Sequence, residues 1–340
     1  MDTSRPRRRW KSLGLGALLG LGALLTVGAV WLWRPPSEPA VACQPDPVDP
    51  ERLKQHVRTL TESFHPRDSR HPENLGRAAA WLDEALARAG GRVRQEPYEA
   101  EGARYVNVVA TFGPEEGERL VIGAHYDAAH TTPGADDNGS GVATLLELAA
   151  FLGRHTPALR VDLVAFTLEE PPFFRTPSMG STVHARALRE AGVAVRAMLS
   201  LETLGYFSDA PDSQRFPLPA LKLRYPSTGN FIAVVGQLGE DTLVRSVAGA
   251  MQSASRVPVE LIAAPRSLQG VDFSDHLSFW DVGYPAVMVT DTAFLRNPNY
   301  HTPRDTWDTL DYERLAEVVR GVQCAVEVLA THPGSGKRAE

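Results

Sequence analysis

Five short stretches of the chain hold residue types that bind metals and move protons. They are Gly123-Ala124-His125-Tyr126-Asp127, Gly134-Ala135-Asp136-Asp137-Asn138-Gly139-Ser140-Gly141, Glu169-Glu170, Ser200-Leu201-Glu202 and Asn299-Tyr300-His301-Thr302. Zinc accepts imidazole and carboxylate, and a catalytic zinc site leaves a position open for water. A bridging carboxylate is the natural way to hold two cations roughly 3.5–4 Å apart. In such a centre one Asp bridges while a His and an acid complete each ion. Asp127, two residues beyond His125, can accept the second ring proton and fix the tautomer. Neighbouring glutamates point in different directions, so one can ligate while the other holds a water. Taken singly, each stretch has a plainer reading. Asp-Asp-Asn-Gly before a helix is turn and N-cap chemistry, and a lone His or a Glu pair after a strand is ordinary solvated surface. Their shared placement favours the chemical reading.

That placement comes from the surrounding pattern. Short apolar runs typical of buried strands cover Val106–Phe112, Leu120–Ala124, Val161–Leu168, Ala197–Leu201, Phe231–Val235 and Ala286–Thr290. Helical spacing covers Pro50–Phe64, Asn74–Ala89, Ser140–Leu152, Ser178–Ala191, Asp241–Ser253 and Asp311–Ala330, with Gly90-Gly91 as a stop signal. Strands interleaved with helices predict an α/β fold. The expected form is a three-layer sandwich in which helices flank a central, mostly parallel mixed sheet. Ligands bind such sheets at the carboxyl ends of the strands. His125, Glu169, Glu170 and Glu202 each follow an apolar run directly, and His301 lies in the loop after the last one.

The 340 residues carry a formal net charge of -6, unevenly spread. Through Arg34 there are six basic residues and one acid, +5, which leaves -11 for the rest. An acidic body argues against nucleic acid as a partner. Residues 1–11 are a basic segment, read as cytoplasmic. Ser12–Trp33 is an uncharged run of 22 residues, enough to cross a hydrocarbon core of roughly 30 Å as a helix. Trp10, Trp31 and Trp33 sit at its ends, and the positive-inside rule directs the remainder out of the cytoplasm, periplasmic or extracellular. The expectation is a single-pass membrane anchor at 12–33, a Pro-rich tether at 34–49, one domain at 50–332 and a disordered tail at 333–340. Cleavage after Ala40-Val41-Ala42, as in a signal peptide, is the rival reading, and Cys43 hints at a lipoprotein. In each case the body is exported. Cys43 and Cys324 are the only cysteines. An oxidising compartment would permit a bridge between them, but two cysteines do not establish one.

The five motifs, in this order, resemble the zinc aminopeptidase family that includes bacterial leucyl aminopeptidases, the glutamate carboxypeptidase and transferrin-receptor branch, and glutaminyl cyclase. The resemblance runs from about Asn107 to Thr306. It implies two zinc ions: His125 and Glu202 on one, Glu170 and His301 on the other, with Asp137 bridging. It also implies Glu169 as general base, Asp127 as partner of His125, and a cis peptide bond at Asp137–Asn138. Ser274-Asp275-His276 matches a family segment near the site, with no metal role for His276. Two departures stand out. Glu202 replaces the more usual Asp, and Pro171-Pro172-Phe173-Phe174 replaces the Gly after the Glu pair.

The implied activity is aminopeptidase hydrolysis of a peptide with a free N-terminus. The alternatives are single-zinc glutaminyl-peptide cyclisation and a non-catalytic receptor-like domain. Phe173, Phe174, Tyr206 and Phe207 are candidates either for a pocket for the first side chain or for core packing. The Pro- and Asp-rich stretch Ser208–Tyr225 reads as a long loop bordering the cleft.

Overall fold

The computed structural model describes residues 43–331. The basic segment, the apolar run 12–33, most of the tether and the C-terminal tail lie outside the described residues. Among the described residues no helix is long and apolar enough to cross a membrane.

The chain opens with helices α1 (Pro50–Ser63) and α2 (Pro72–Arg88). Asp49 caps α1, its Oδ1 accepting from the Glu51 amide at 3.0 Å, and Pro50 starts the helix where no amide donor is needed. Gly90 ends the helical run with φ +92°, a conformation that carries a penalty for residues with a Cβ. Then follow β1 (Arg92–Ala100), β2 (Ala103–Phe112), β3 (Arg119–His125), α3 (Gly141–Arg154), β4 (Arg160–Phe166) and α4 (Gly180–Glu190). The second half contains β5 (Val195–Glu202), β6 (Ile232–Gln237), α5 (Asp241–Ala254), β7 (Val259–Ala264), α6 (His276–Asp281), β8 (Ala286–Thr290) and α7 (Tyr312–Thr331).

The eight strands form one sheet in the order β1-β2-β4-β3-β5-β8-β6-β7. Its centre is parallel: β3 pairs with β4 and β5, and β5 with β8. β1 and β2 are antiparallel additions at one edge, and β6 runs against β8 at the other. β3 is buried along its whole length, so an unbroken apolar run serves it better than alternation. One face of the sheet packs on α1, α2, α3, α5 and α7, the other on α4 and α6. These are three layers, mixed in strand direction, as the pattern predicts.

All six strand-like runs lie on strands, with ends shifted by up to a few residues. Two strands and a helix escaped the pattern. β1 is an edge strand of mostly exposed charged residues around Pro97, so it lacks the hydrophobic signal. β7, at the opposite edge, includes Glu260 in a six-residue run. α6 has only six residues, too few for helical periodicity to register. Cys43 and Cys324 form a disulfide with Cα atoms 5.7 Å apart, tying the start of the described chain to α7.

Candidate metal centre

The parallel arrangement of β3, β4, β5 and β8 sends their carboxyl ends to one edge of the sheet, and the motifs gather there. His125 is the last residue of β3 and Glu202 the last of β5. Glu169 and Glu170 follow β4 by three and four residues. His301 sits in the loop after β8 with φ +54°.

Asp137 lies in a kinked turn, Ala135–Ser140, that leads into α3; Asp137 and Asn138 depart from helical dihedrals there and are joined by a cis bond. The turn is sewn down from several sides. Asp305 accepts from the Asp136 and Asp137 amides at 2.9 and 3.1 Å. The Asn138 amide donates to the Leu201 carbonyl at 2.8 Å, while its oxygen accepts from Thr203 and Gly141. Asp136 accepts from the Gly205 amide and from Asn297. Gly134 opens the turn at φ +62°, where a Cβ would meet the Asp137 carbonyl at 2.5 Å. Arg67, fully buried, donates to the carbonyls of Tyr126, Pro133 and Gly134. Burial pulls its pKa down to about 10, against the pull of Asp305, Asp127 and Asp137. It therefore stays a cation beneath a crowd of acids.

All five sequence-predicted ligands converge. Asp137 Oδ1 lies 3.2 Å from His125 Nε2, and its Oδ2 lies 2.9 Å from His301 Nε2. Glu202 Oε2 is 3.4 Å from His125 Nε2, and Glu170 Oε1 is 3.3 Å from His301 Nε2. Two overlapping three-residue groups result: His125, Asp137 and Glu202, and Asp137, Glu170 and His301. In each, potential ligand atoms lie within 4.8 Å of one another. Glu169 Oε2 is farther from His125 Nε2, at 3.8 Å, although His125, Glu169 and Glu170 also meet that spacing.

The donor set fits zinc: imidazole and carboxylate, buried except for His301, whose side chain is 32% exposed. His125 Nε2 and Glu170 Oε1 are buried without a hydrogen-bond partner, an arrangement a cation would satisfy.

Asp127 faces both the imidazole and the Glu pair. Its carboxylate accepts from the Glu169 and Glu170 amides at 3.1 and 3.0 Å. His125 Nδ1 lies 3.2 Å from the Asp127 carbonyl oxygen and 3.5 Å from Oδ1. Of the two Asp127 oxygens facing Nδ1, the main-chain one is the nearer.

Without cations the charge balance is lopsided. Burial raises the Glu169 carboxyl well above its ordinary value, and Glu170 and Glu202 add to this against the pull of His125. Burial and Asp137 push Glu170 up to about 7. Burial also disfavours the Asp137 anion, but the two neighbouring histidines outweigh it and hold the group low. Burial disfavours a charged His301 too, yet Asp137 and Glu170 lift it to about 10. The cluster holds more negative charge than two imidazoles balance, a good host for divalent cations.

The resemblance places Ser274-Asp275-His276 near the site, and Tyr300 beside His301, without saying what they do there. Ser274 donates to Glu202 Oε2 at 2.7 Å and shares a hydrogen bond with Ser200. Asp275 beside it is fully buried and raised to about 7 by burial. His276 is held neutral: burial lowers it to about 4, and Nε2 meets the Val271 carbonyl. The Tyr300 ring stacks on His301, centroids 3.9 Å apart. Burial and the nearby acids raise its phenol, so the hydroxyl stays protonated. Arg67 and Asp305 had no motif to mark them.

A cleft opens beside Glu202. Gln214, Phe216, Pro217, Leu221 and Tyr225 of the long loop line it, together with Phe231, Phe273, Phe294 and Tyr300. None of the four aromatics proposed from the sequence is among its lining residues. Phe173 is buried against Tyr105, and Tyr206 and Phe207 pack on the core.

Residues 107–326 match the family described as Peptidase family M28. The chain belongs to that family. Membership places this M28 chain among peptidases. It is 45% identical over 291 residues to the uncharacterized protein YfbL of Escherichia coli (strain K12), covering 83% of this chain and 89% of that one. It is 23% identical over 286 residues to leucine aminopeptidase 1 of Ajellomyces dermatitidis, covering 78% of this chain and 68% of that one. Among solved structures, BSAP, a zinc aminopeptidase from Bacillus subtilis, superposes with a TM-score of 0.68 at 14% identity, covering 86% and 97% of the two chains. The Bacteroides thetaiotaomicron glutaminyl cyclase superposes at 0.65 with 18% identity, covering 85% and 100%. At these identities the two structures share the M28 chain's fold and speak to nothing further.

Proposed function

We propose that this M28 chain is an aminopeptidase that holds two zinc ions and removes the N-terminal residue of a peptide. One observation carries the reading: Asp137 divides its two oxygens between His125 and His301, and each histidine has a second acid of its own. His125 and Glu202 would hold one ion, Glu170 and His301 the other, with Asp137 shared. When bound, the ions acidify a water toward neutrality and polarise the substrate carbonyl.

The chain's own groups do the rest. Glu169 accepts the proton of the attacking water and passes it to the departing amine. Burial raises its pKa, which strengthens it as a proton acceptor. Asp127 fixes both glutamates through their amides and orients His125 through its carbonyl. Tyr300 offers a hydroxyl proton beside the same acids. The surplus of carboxylate attracts a substrate ammonium, which favours action at a free N-terminus.

The body is placed outside the cytoplasm, held to the membrane by residues 12–33. The apolar run with its basic flank supports this, as does a disulfide, which persists in oxidising compartments. Protease added to spheroplasts, whose inner membrane is intact and outer face open, should remove the body.

The rival is glutaminyl cyclisation with one zinc, on a fold that the Bacteroides cyclase shares. Zinc analysis combined with a panel of aminoacyl anilides and N-terminal glutaminyl peptides separates the two. Two zincs per chain and anilide hydrolysis support the proposal. One zinc with ring closure and no anilide cleavage would overturn it, and absence of both activities would point to the receptor-like alternative.

A further inference from the structure

We propose, resting on the two-zinc reading, that Trp307 is a positioning residue. Seated on α1, it holds the loop that carries His301, and so sets how tightly the ion at His301, Glu170 and Asp137 is kept. His301 stands apart from the other predicted ligands. It lies on a loop with φ +54°, and its side chain is 32% exposed, whereas His125 and Glu202 end buried strands. A ligand placed this way keeps its direction when the groups around it are fastened elsewhere.

The loop is fastened to the turn of Asp137 on either side of His301. Asn297 donates to Asp136 Oδ2 at 2.8 Å, and Asp305 accepts from the Asp136 and Asp137 amides. Beyond Asp305 the chain reaches α1, and Trp307 makes the joint. Its Nε1 donates to Glu62 Oε1 at 2.9 Å. The Arg58 guanidinium carbon lies 5.0 Å from the indole centroid, and Lys54 Nζ lies 5.6 Å from it. Arg58 is itself paired with Glu62 at 2.8 Å. The Tyr312 hydroxyl donates to the Trp307 carbonyl at 2.6 Å, so the backbone is held as well as the ring.

Lys54, Arg58 and Glu62 recur every four residues along one side of α1. Val57 adjoins that side, and a Cβ on Gly139 would meet its Cγ1 at 3.4 Å. α1 therefore braces the turn of Asp137 and, through Trp307, the loop of His301, although it supplies no ligand itself. Two of the three groups around one ion thus take their spacing from this helix. The other ion draws His125 and Glu202 from the paired strands β3 and β5, which the sheet itself keeps in register. An indole suits the joint, because its face takes cations while its N–H takes an acid.

The test titrates the zinc-loaded full chain against a competing chelator and counts the ions retained. Trp307→Ala should hold one ion about tenfold less tightly and leave the other unchanged. Glu170→Gln should lose that same ion, so the double variant still keeps the second. Trp307→Phe, which retains a ring for the cations, should recover part of the loss. Arg58→Ala, outside the loop, should weaken the same ion about threefold. Hydrogen exchange in the metal-free chain should quicken across residues 297–306 in Trp307→Ala and stay unchanged in the central strands, with thermal melting to show that each variant is folded. Unchanged retention, equal weakening of both ions, or unchanged loop exchange would overturn the inference. A wild type that keeps a single zinc would instead overturn the two-zinc reading. Weaker binding of that one ion, with faster loop exchange in Trp307→Ala, would then leave the role of Trp307 standing.

Discussion

The Ser274 hydroxyl donates to Glu202 Oε2 at 2.7 Å, from a loop 72 positions away in sequence. Glu202 has one methylene more than the aspartate usual at its position, and therefore one more torsion to fix. Ser274, itself bonded to Ser200, supplies the restraint.

Ser274→Ala should therefore weaken zinc binding roughly tenfold, in line with the loss of a partner that orients a metal ligand. Titration against a competing chelator measures it. Unchanged affinity for both ions would mean that Glu202 is held by other contacts or does not ligate.

Glu169→Gln keeps the shape of the side chain and removes its ability to take a proton. Zinc content should stay at the wild-type value while kcat falls by about 10²–10⁴. Loss of zinc instead would make Glu169 a ligand, a role its 3.8 Å approach to His125 leaves geometrically open. Full activity with zinc retained would exclude it as the base.

Metal removal should make stability depend on pH in a defined sense. In the metal-free protein His301 is raised from 6.5 to about 10 and Glu170 from 4.5 to about 7. The folded state then binds protons that the unfolded chain has released. The stabilisation from His301 is complete below about pH 6.5 and is lost as pH rises toward 10. Glu170 acts in the same direction between 4.5 and 7. Chelated protein should melt several degrees lower at pH 9 than at pH 6, and zinc should largely abolish the difference, since cations replace the protons. A chelated protein that grows more stable with alkali would refute this balance.

The disulfide links positions 281 residues apart. Replacing Cys43 and Cys324 by Ser should lower unfolding stability by about 2–5 kcal/mol, chiefly by freeing the unfolded chain. Denaturant unfolding of oxidised, reduced and double-Ser protein tests this. The reduced and double-Ser forms should coincide.

The sequence by itself determined the chemistry on offer and the sheet edge that would display it. Apolar runs fix the central strands, because a strand covered on both faces tolerates little else. A residue directly after such a run must emerge at that strand's carboxyl end. His125, Glu169, Glu170 and Glu202 were legible for that reason, and His301 and Asp137 through the family resemblance of their motifs.

Tertiary structure decided what depends on contacts between distant segments. The two cysteines were visible, but their pairing required α7 to lie against the start of the domain. Asp305 looks like any loop acid until the fold sets it under the amides of Asp136 and Asp137. Arg67 carries no motif, since its partners are main-chain carbonyls that every residue possesses. The choice between pocket and core for Phe173, Phe174, Tyr206 and Phe207 stayed open in the sequence for the same reason. Phe173 and Phe294 are equally apolar, and only the packing of the loops around Glu202 determines which one faces the core and which one lines the cleft.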